Sequence, residues 1–116
     1  MEIYLSILNI LLEVYSGKNL NDVLLKHTHQ DNFPKIKNIS YGILRNYFSI
    51  NYVIDKLVKH INLQSKVILQ IGIFELKFSK KPNYAVINDL VNFSFDLTEN
   101  EKIKNFNKLV GDNISS

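Results

Sequence analysis

The side chains able to do chemistry in this sequence are few. His27 and His29, with Asp31 two residues on, place three metal-capable donors within five positions. Side chains two apart on a helix point to different faces, and metals need closed ligand sets. The segment therefore reads as an exposed polar turn. His60 reads as a residue near a helix C-terminus, where a basic group complements the dipole. Glu75 is a lone carboxylate inside the apolar run from Val67 to Phe78. Burying it is costly unless it is paired. Arg45 is the only arginine, so a pair of Arg45 with Glu75, or with Asp55, is expected. Lys35, Lys37 and the Lys80-Lys81 turn are the candidate phosphate contacts, provided that folding brings them to one face. Lys102 and Lys104 read as a solvated face.

The 116 residues suffice for one domain with one core. The chain is 46% hydrophobic and 22% charged, the balance of an ordinary soluble protein. With no cysteine, disulfides, thiolate metal sites and cysteine nucleophiles are excluded, which fits a reducing compartment. The net charge of +3 and pI of about 9.1 are a mild basic bias. Lysine attracts phosphate as a point charge and lacks the bidentate fork that reads base edges. Nucleic-acid contact, if made, is then to backbone and shape. Met1 to Tyr15 is strongly apolar, but it carries Glu2 and is shorter than the roughly 20 residues a membrane span needs. It reads as a buried first helix of a cytoplasmic protein, with no membrane partner.

The elements that must hold these residues are all helical by periodicity. The first runs from about Glu2 to Tyr15, apolar on most sides, and stops at Gly17. A short second helix spans about Leu20 to Lys26, capped by Asn19 or Asn21. Asp31 or Asn32 caps a third, with Pro34 in its first turn and Ile36, Ile39, Ile43, Leu44 and Tyr47 as its core stripe. Ile50, Val53, Ile54, Leu57, Val58 and Ile61 form a fourth. The fifth, about Ser65 to Phe78, is apolar nearly all round and is the expected central helix. Gly72 inside it costs about 1 kcal/mol against alanine, a cost that a close helix–helix approach would offset. The sixth spans about Tyr84 to Asp96, with Ala85, Ile87, Leu90, Val91 and Phe95 inward. Thr98-Glu99-Asn100-Glu101 has the form of a capping box and predicts a seventh helix to about Asn113, with Ile103, Phe106, Leu109 and Val110 at helical spacing. Short connections between seven helices give an all-α globular bundle.

Four segments in order carry a family resemblance. They are Tyr41-Gly42-Ile43-Leu44-Arg45, Ile68-Leu69-Gln70-Ile71-Gly72-Ile73-Phe74-Glu75-Leu76, Pro82-Asn83-Tyr84-Ala85-Val86-Ile87-Asn88-Asp89-Leu90-Val91 and Phe106-Asn107-Lys108-Leu109-Val110. Together they resemble the NusB-like domain over about Gly17 to Ile114. The form is that which precedes the catalytic part of RsmB (Sun)-type ribosomal-RNA cytosine-5 methyltransferases. The second segment looks like the family's central helix with Glu75 at its acidic position. The third looks like the proline-led turn and Ala-x-Asn-Glu-x-Val helix start, and the fourth like the closing Val-Asn-Gly-Val-Leu.

The resemblance implies one NusB-like RNA-binding domain over residues 1–114, with 115–116 as a tail or the start of a linker. It implies no catalytic residue and no cofactor in this chain. A cytosine-5 methyltransferase of this kind needs a glycine-rich methyl-donor turn and cysteine nucleophiles; the former is not seen and the latter are absent. Catalysis would belong to a carboxy-terminal domain. The RNA contacts implied are Lys18, Lys35, Lys37, Arg45, Lys80, Lys81, Asn107 and Lys108, on structured ribosomal RNA. Arg45 thus has two readings, RNA contact and structural pair. Asn88 and Asn107 match family polar positions and read first as capping or interhelical hydrogen bonds. This sequence departs from the family at Gln70, where arginine is frequent, at Asn51, where aspartate is usual, at Asp89 for glutamate, and at Gly111, where the methyltransferase branch places arginine. The losses at 70 and 111 read as basic side chains missing from polar surfaces. The antitermination branch has an arginine-rich first helix for boxA RNA, whereas here no basic residue precedes Lys18. Antitermination with a ribosomal-protein partner, and a protein-docking or homodimer module built on the first helix, remain alternatives.

Overall fold

The computed structural model describes the backbone of residues 2–115 and the side chains of residues 3–99. Its elements, all helices, are α1 (Glu2–Tyr15), α2 (Leu20–Leu25), α3 (Phe33–Arg45), α4 (Tyr47–Leu57), α5 (Leu63–Phe78) and α6 (Asn83–Ser115). There is no strand among the described residues, as an all-α reading requires.

Local chemistry sets most boundaries. Gly17 closes α1 at φ +113°, a left-handed conformation that glycine adopts without a Cβ penalty. Asn19 caps α2, its Oδ1 accepting from the amides of Asn21 and Asp22 at 2.9 and 3.3 Å. Asn46 joins α3 to α4 by donating its side-chain amide to the Gly42 carbonyl at 2.8 Å. Val58 is extended and ends α4, so Ile61 lies outside that helix. Asn62 opens α5 two residues earlier than expected, accepting from the Ser65 amide at 2.8 Å.

The central helix is α5, packed against α1, α3, α4 and α6. Ile7, Ile10 and Leu11 of α1, Ile36 and Ile43 of α3, Ile50 and Ile54 of α4, and Val67 and Ile71 of α5 fill the core. Two glycines permit the closest approaches. A Cβ on Gly42 would collide with the Phe74 ring, and one on Gly72 with the Leu90 side chain. The expected close approach at Gly72 is thus that of α6 on α5.

Two expectations are corrected in α6. The predicted sixth and seventh helices are one continuous helix. The Thr98 hydroxyl donates backwards to the Ser94 carbonyl at 3.0 Å, an internal helix bond rather than a forward cap. The side chains of Asn100, Glu101 and the expected stripe Ile103, Phe106, Leu109 and Val110 lie outside the described residues. The inward face is also rotated. Val86 and Phe93 are buried, with Leu90 and Leu97 packed beside them, while Ile87, Val91 and Phe95 are exposed. Apolar residues occupy several faces of α6, so periodicity left its orientation open. Packing decides it: Leu90 enters the space over Gly72, and Phe93 meets the Tyr4 ring edge-on at 5.7 Å.

Candidate nucleic-acid interface

Two polar clusters lie inside the bundle. Glu75, only 2% exposed, pairs with Lys81 and not with Arg45. The Lys81 ammonium lies 3.6 Å from the Glu75 carboxylate, donates to Asp89 at 3.2 Å, and sits 5.6 Å from the centroid of the Tyr4 ring. Burial opposes its charge, yet the Asp89 bond and the Glu75 field hold its pKa above the usual lysine value. Burial, then the Glu75 charge, push the Tyr4 hydroxyl up to about 12, so it stays protonated. The sequence pointed to Arg45 because it is the sole arginine. Chain geometry favours Lys81, because the α5–α6 turn carries it back over Glu75. Arg45 is exposed at the end of α3 and makes no ion pair among the described residues; nor does Asp55.

Gln70 and Asn51, two separate departures from the family pattern, are one contact. Gln70 is fully buried, and its amide donates to Asn51 Oδ1 at 2.9 Å. Its carbonyl accepts from the Tyr15 hydroxyl at 2.9 Å. A neutral hydrogen-bonded pair therefore stands where the resemblance would put arginine and aspartate. The reading of Gln70 as a charge lost from a surface is corrected, since the position has no surface.

The candidate RNA contacts do not gather on one face. Lys18 and Lys26 both reach Glu13, at 3.8 and 3.5 Å, beyond the C-terminal end of α1. Lys37 lies 6.0 Å from the centroid of the Tyr41 ring, whose hydroxyl donates to Asn21 of α2. Lys35, two residues away, falls on the opposite flank of the buried Ile36–Ile43 stripe, because each residue turns the helix by about 100°. Lys80 is exposed. Lys81 is committed to two carboxylates over Tyr4, near the other end of α1 from Lys18, about 20 Å away by helix rise. The side chains of Asn107 and Lys108 lie outside the described residues. In the histidine turn, Gln30 Nε2 is 2.8 Å from His27 Nδ1, and Gln30 Oε1 accepts from Ser6 at 3.1 Å.

A different group comes together on α4. Phe48 is 86% exposed and Tyr52 61% exposed, one turn apart, with the Lys56 ammonium 4.4 Å from the Tyr52 ring centroid. Asp55, Lys59, His60, Asn62 and Lys66 line an open hollow just beyond. Sequence reasoning followed the apolar stripe Ile50, Val53, Ile54 and Leu57 and passed over Phe48, Tyr52 and the lysines beside them. The available signal was a pair of aromatics at i and i+4, off that stripe, followed by a lysine at i+8.

Among the described residues, no helix is long and apolar enough to cross a membrane. A family model described as the NusB family matches residues 5–107. No curated protein and no solved structure matches the chain.

Proposed function

Because the chain belongs to the NusB family, we propose that it is a non-catalytic RNA-binding module, and within that reading the rRNA-positioning domain that serves a cytosine-5 methyltransferase in the cytoplasm. The observation that carries it is the family match, which spans residues 5–107 and so nearly all of the helical bundle. Two features support it. Gln70 and Asn51 hydrogen-bond each other and Glu75 ion-pairs with Lys81, so none of these buried groups engages Arg45 or Lys80, which stay exposed. The exposed Arg45 closes the Tyr-Gly-Ile-Leu-Arg segment, which resembles the methyltransferase branch. In this role the lysines attract phosphate and the rigid bundle supplies shape, while the chemistry belongs to a partner domain.

The test is the affinity of the chain for a small-subunit rRNA hairpin and for a boxA single strand, across roughly 50 to 200 mM salt. Hairpin preference with a steep salt dependence is the expected outcome. Preference for boxA would move the reading to antitermination. Binding to neither would leave a protein-docking module.

A further inference from the structure

Among the described residues, Phe48 and Tyr52 are exposed aromatics one turn apart on α4 with a lysine beside them. Large aromatic side chains bury 150–250 Å² when they pack, and α4 packs against both α3 and α5. The packing of α4 instead uses Ile50, Asn51 and Ile54. The two rings are displaced along α4 by about 6 Å of helix rise. Phe48 is also braced from within the bundle. Tyr15, fixed by its bond to Gln70, meets Tyr47 at 6.0 Å, and Tyr47 meets Phe48 edge-on at 5.5 Å. A ring that is braced by one neighbour and still 86% exposed can serve as a platform.

What surrounds the rings decides which partner fits. Lys56 already lies near the Tyr52 ring, and Lys59, His60 and Lys66 follow around the hollow at the end of the helix. One carboxylate, Asp55, faces the same hollow and is outnumbered by Lys56, Lys59 and Lys66. Aromatic rings interleaved with lysines match a strand whose bases are unpaired and whose phosphates are continuous. A duplex keeps its base faces stacked and offers them to no side chain.

We infer that α4 is a base-stacking track for single-stranded RNA, with Phe48 and Tyr52 stacking bases and Lys56, Lys59 and Lys66 holding the adjoining phosphates. The track rests on the RNA-binding reading and gives it a location that none of Lys18, Lys35, Lys37, Arg45, Lys80 and Lys81 provides. It favours unpaired segments, the loops and junctions of a folded RNA, over its helices.

The test measures fluorescence anisotropy of a labelled short oligouridine strand, and of an equally long strand with abasic sites in place of the bases. The full chain is compared with Phe48→Ala/Tyr52→Ala and with Lys59→Ala. All three side chains are exposed, so both variants should keep the melting temperature of the unaltered chain. The double variant should lose about tenfold or more in affinity for oligouridine while keeping its salt dependence. The unaltered chain should lose a similar factor on the abasic strand. Lys59→Ala should instead flatten the slope of log K against log salt by about 0.7. A double variant that binds oligouridine as tightly as the unaltered chain overturns the track and leaves the RNA-binding reading standing. An unaltered chain that binds neither oligouridine nor the rRNA hairpin overturns both.

Discussion

At the scale of single residues, a buried carboxylate depends on its cation. Removing one partner of a buried pair strands the other, at about 1–3 kcal/mol or more for a charged group, whereas replacing both with neutral groups is far cheaper. Lys81→Met should therefore destabilise the fold by about 1–3 kcal/mol in urea denaturation, and adding Glu75→Gln should recover most of that loss. A double variant no more stable than Lys81→Met would mean that Glu75 does not need the lysine. His27 gives a pH dependence. Burial holds its imidazole below the usual value, Glu13 opposes that shift, and His29 and Lys26 add to it. The contact with the Gln30 amide also requires Nδ1 to be unprotonated. The unfolded chain, with a histidine pKa near 6.5, therefore binds this proton more readily than the folded one. The stabilisation is complete above that value and declines as pH falls below it. The urea midpoint should fall between about pH 7 and pH 5, and His27→Asn should flatten that fall.

At the scale of elements, the Tyr15–Gln70–Asn51 chain ties α1, α5 and α4 together through hydrogen bonds with no formal charge. Burying an ion pair is worthwhile only when its geometry is excellent, and a neutral amide pair avoids that desolvation. Gln70→Arg alone places an unpaired cation in a fully buried position and should cost about 3 kcal/mol or more. Combining it with Asn51→Asp should return a large part of the loss, giving a coupling energy of about 1–3 kcal/mol in a double-mutant cycle. Additive losses would show that positions 51 and 70 do not act as a pair. The reach of sequence reasoning can be judged on the same elements. The end of α1 and the start of α2 were legible because Gly17 acts through its backbone and Asn19 through a local side-chain cap, and neither needs a tertiary partner. The inward face of α6 was legible at Leu90 but not around it. Ile87, Val91 and Phe95 are as apolar as Val86 and Phe93, and only packing, with Leu90 over Gly72 and Phe93 on the edge of Tyr4, chooses between them. The Glu75 partner was missed for a related reason, since it comes from a turn whose direction is set by α5 and α6 together.

At the scale of the whole molecule, the sequence offers candidate phosphate contacts but not their arrangement. Lysine-rich, arginine-poor composition pointed to phosphate contact, and that reading needs no geometry. Periodicity assigns a residue to the core or the surface of its own helix, but it does not report which surfaces of different helices adjoin. Lys35 and Lys37 are neighbours in sequence and lie on opposite flanks of α3. Asp55 and Lys66 belong to different helices and line one hollow. The central position of α5 has a consequence in time. The first helix, α1, is apolar on most sides, and α2 and α3 cover it early, but its α5 face has no partner until the chain has grown past Phe78. At about 5–20 residues per second of synthesis, the roughly 60 residues between the two leave that face open for several seconds on every nascent chain. The burial of α1 is therefore completed only after its central neighbour has been made.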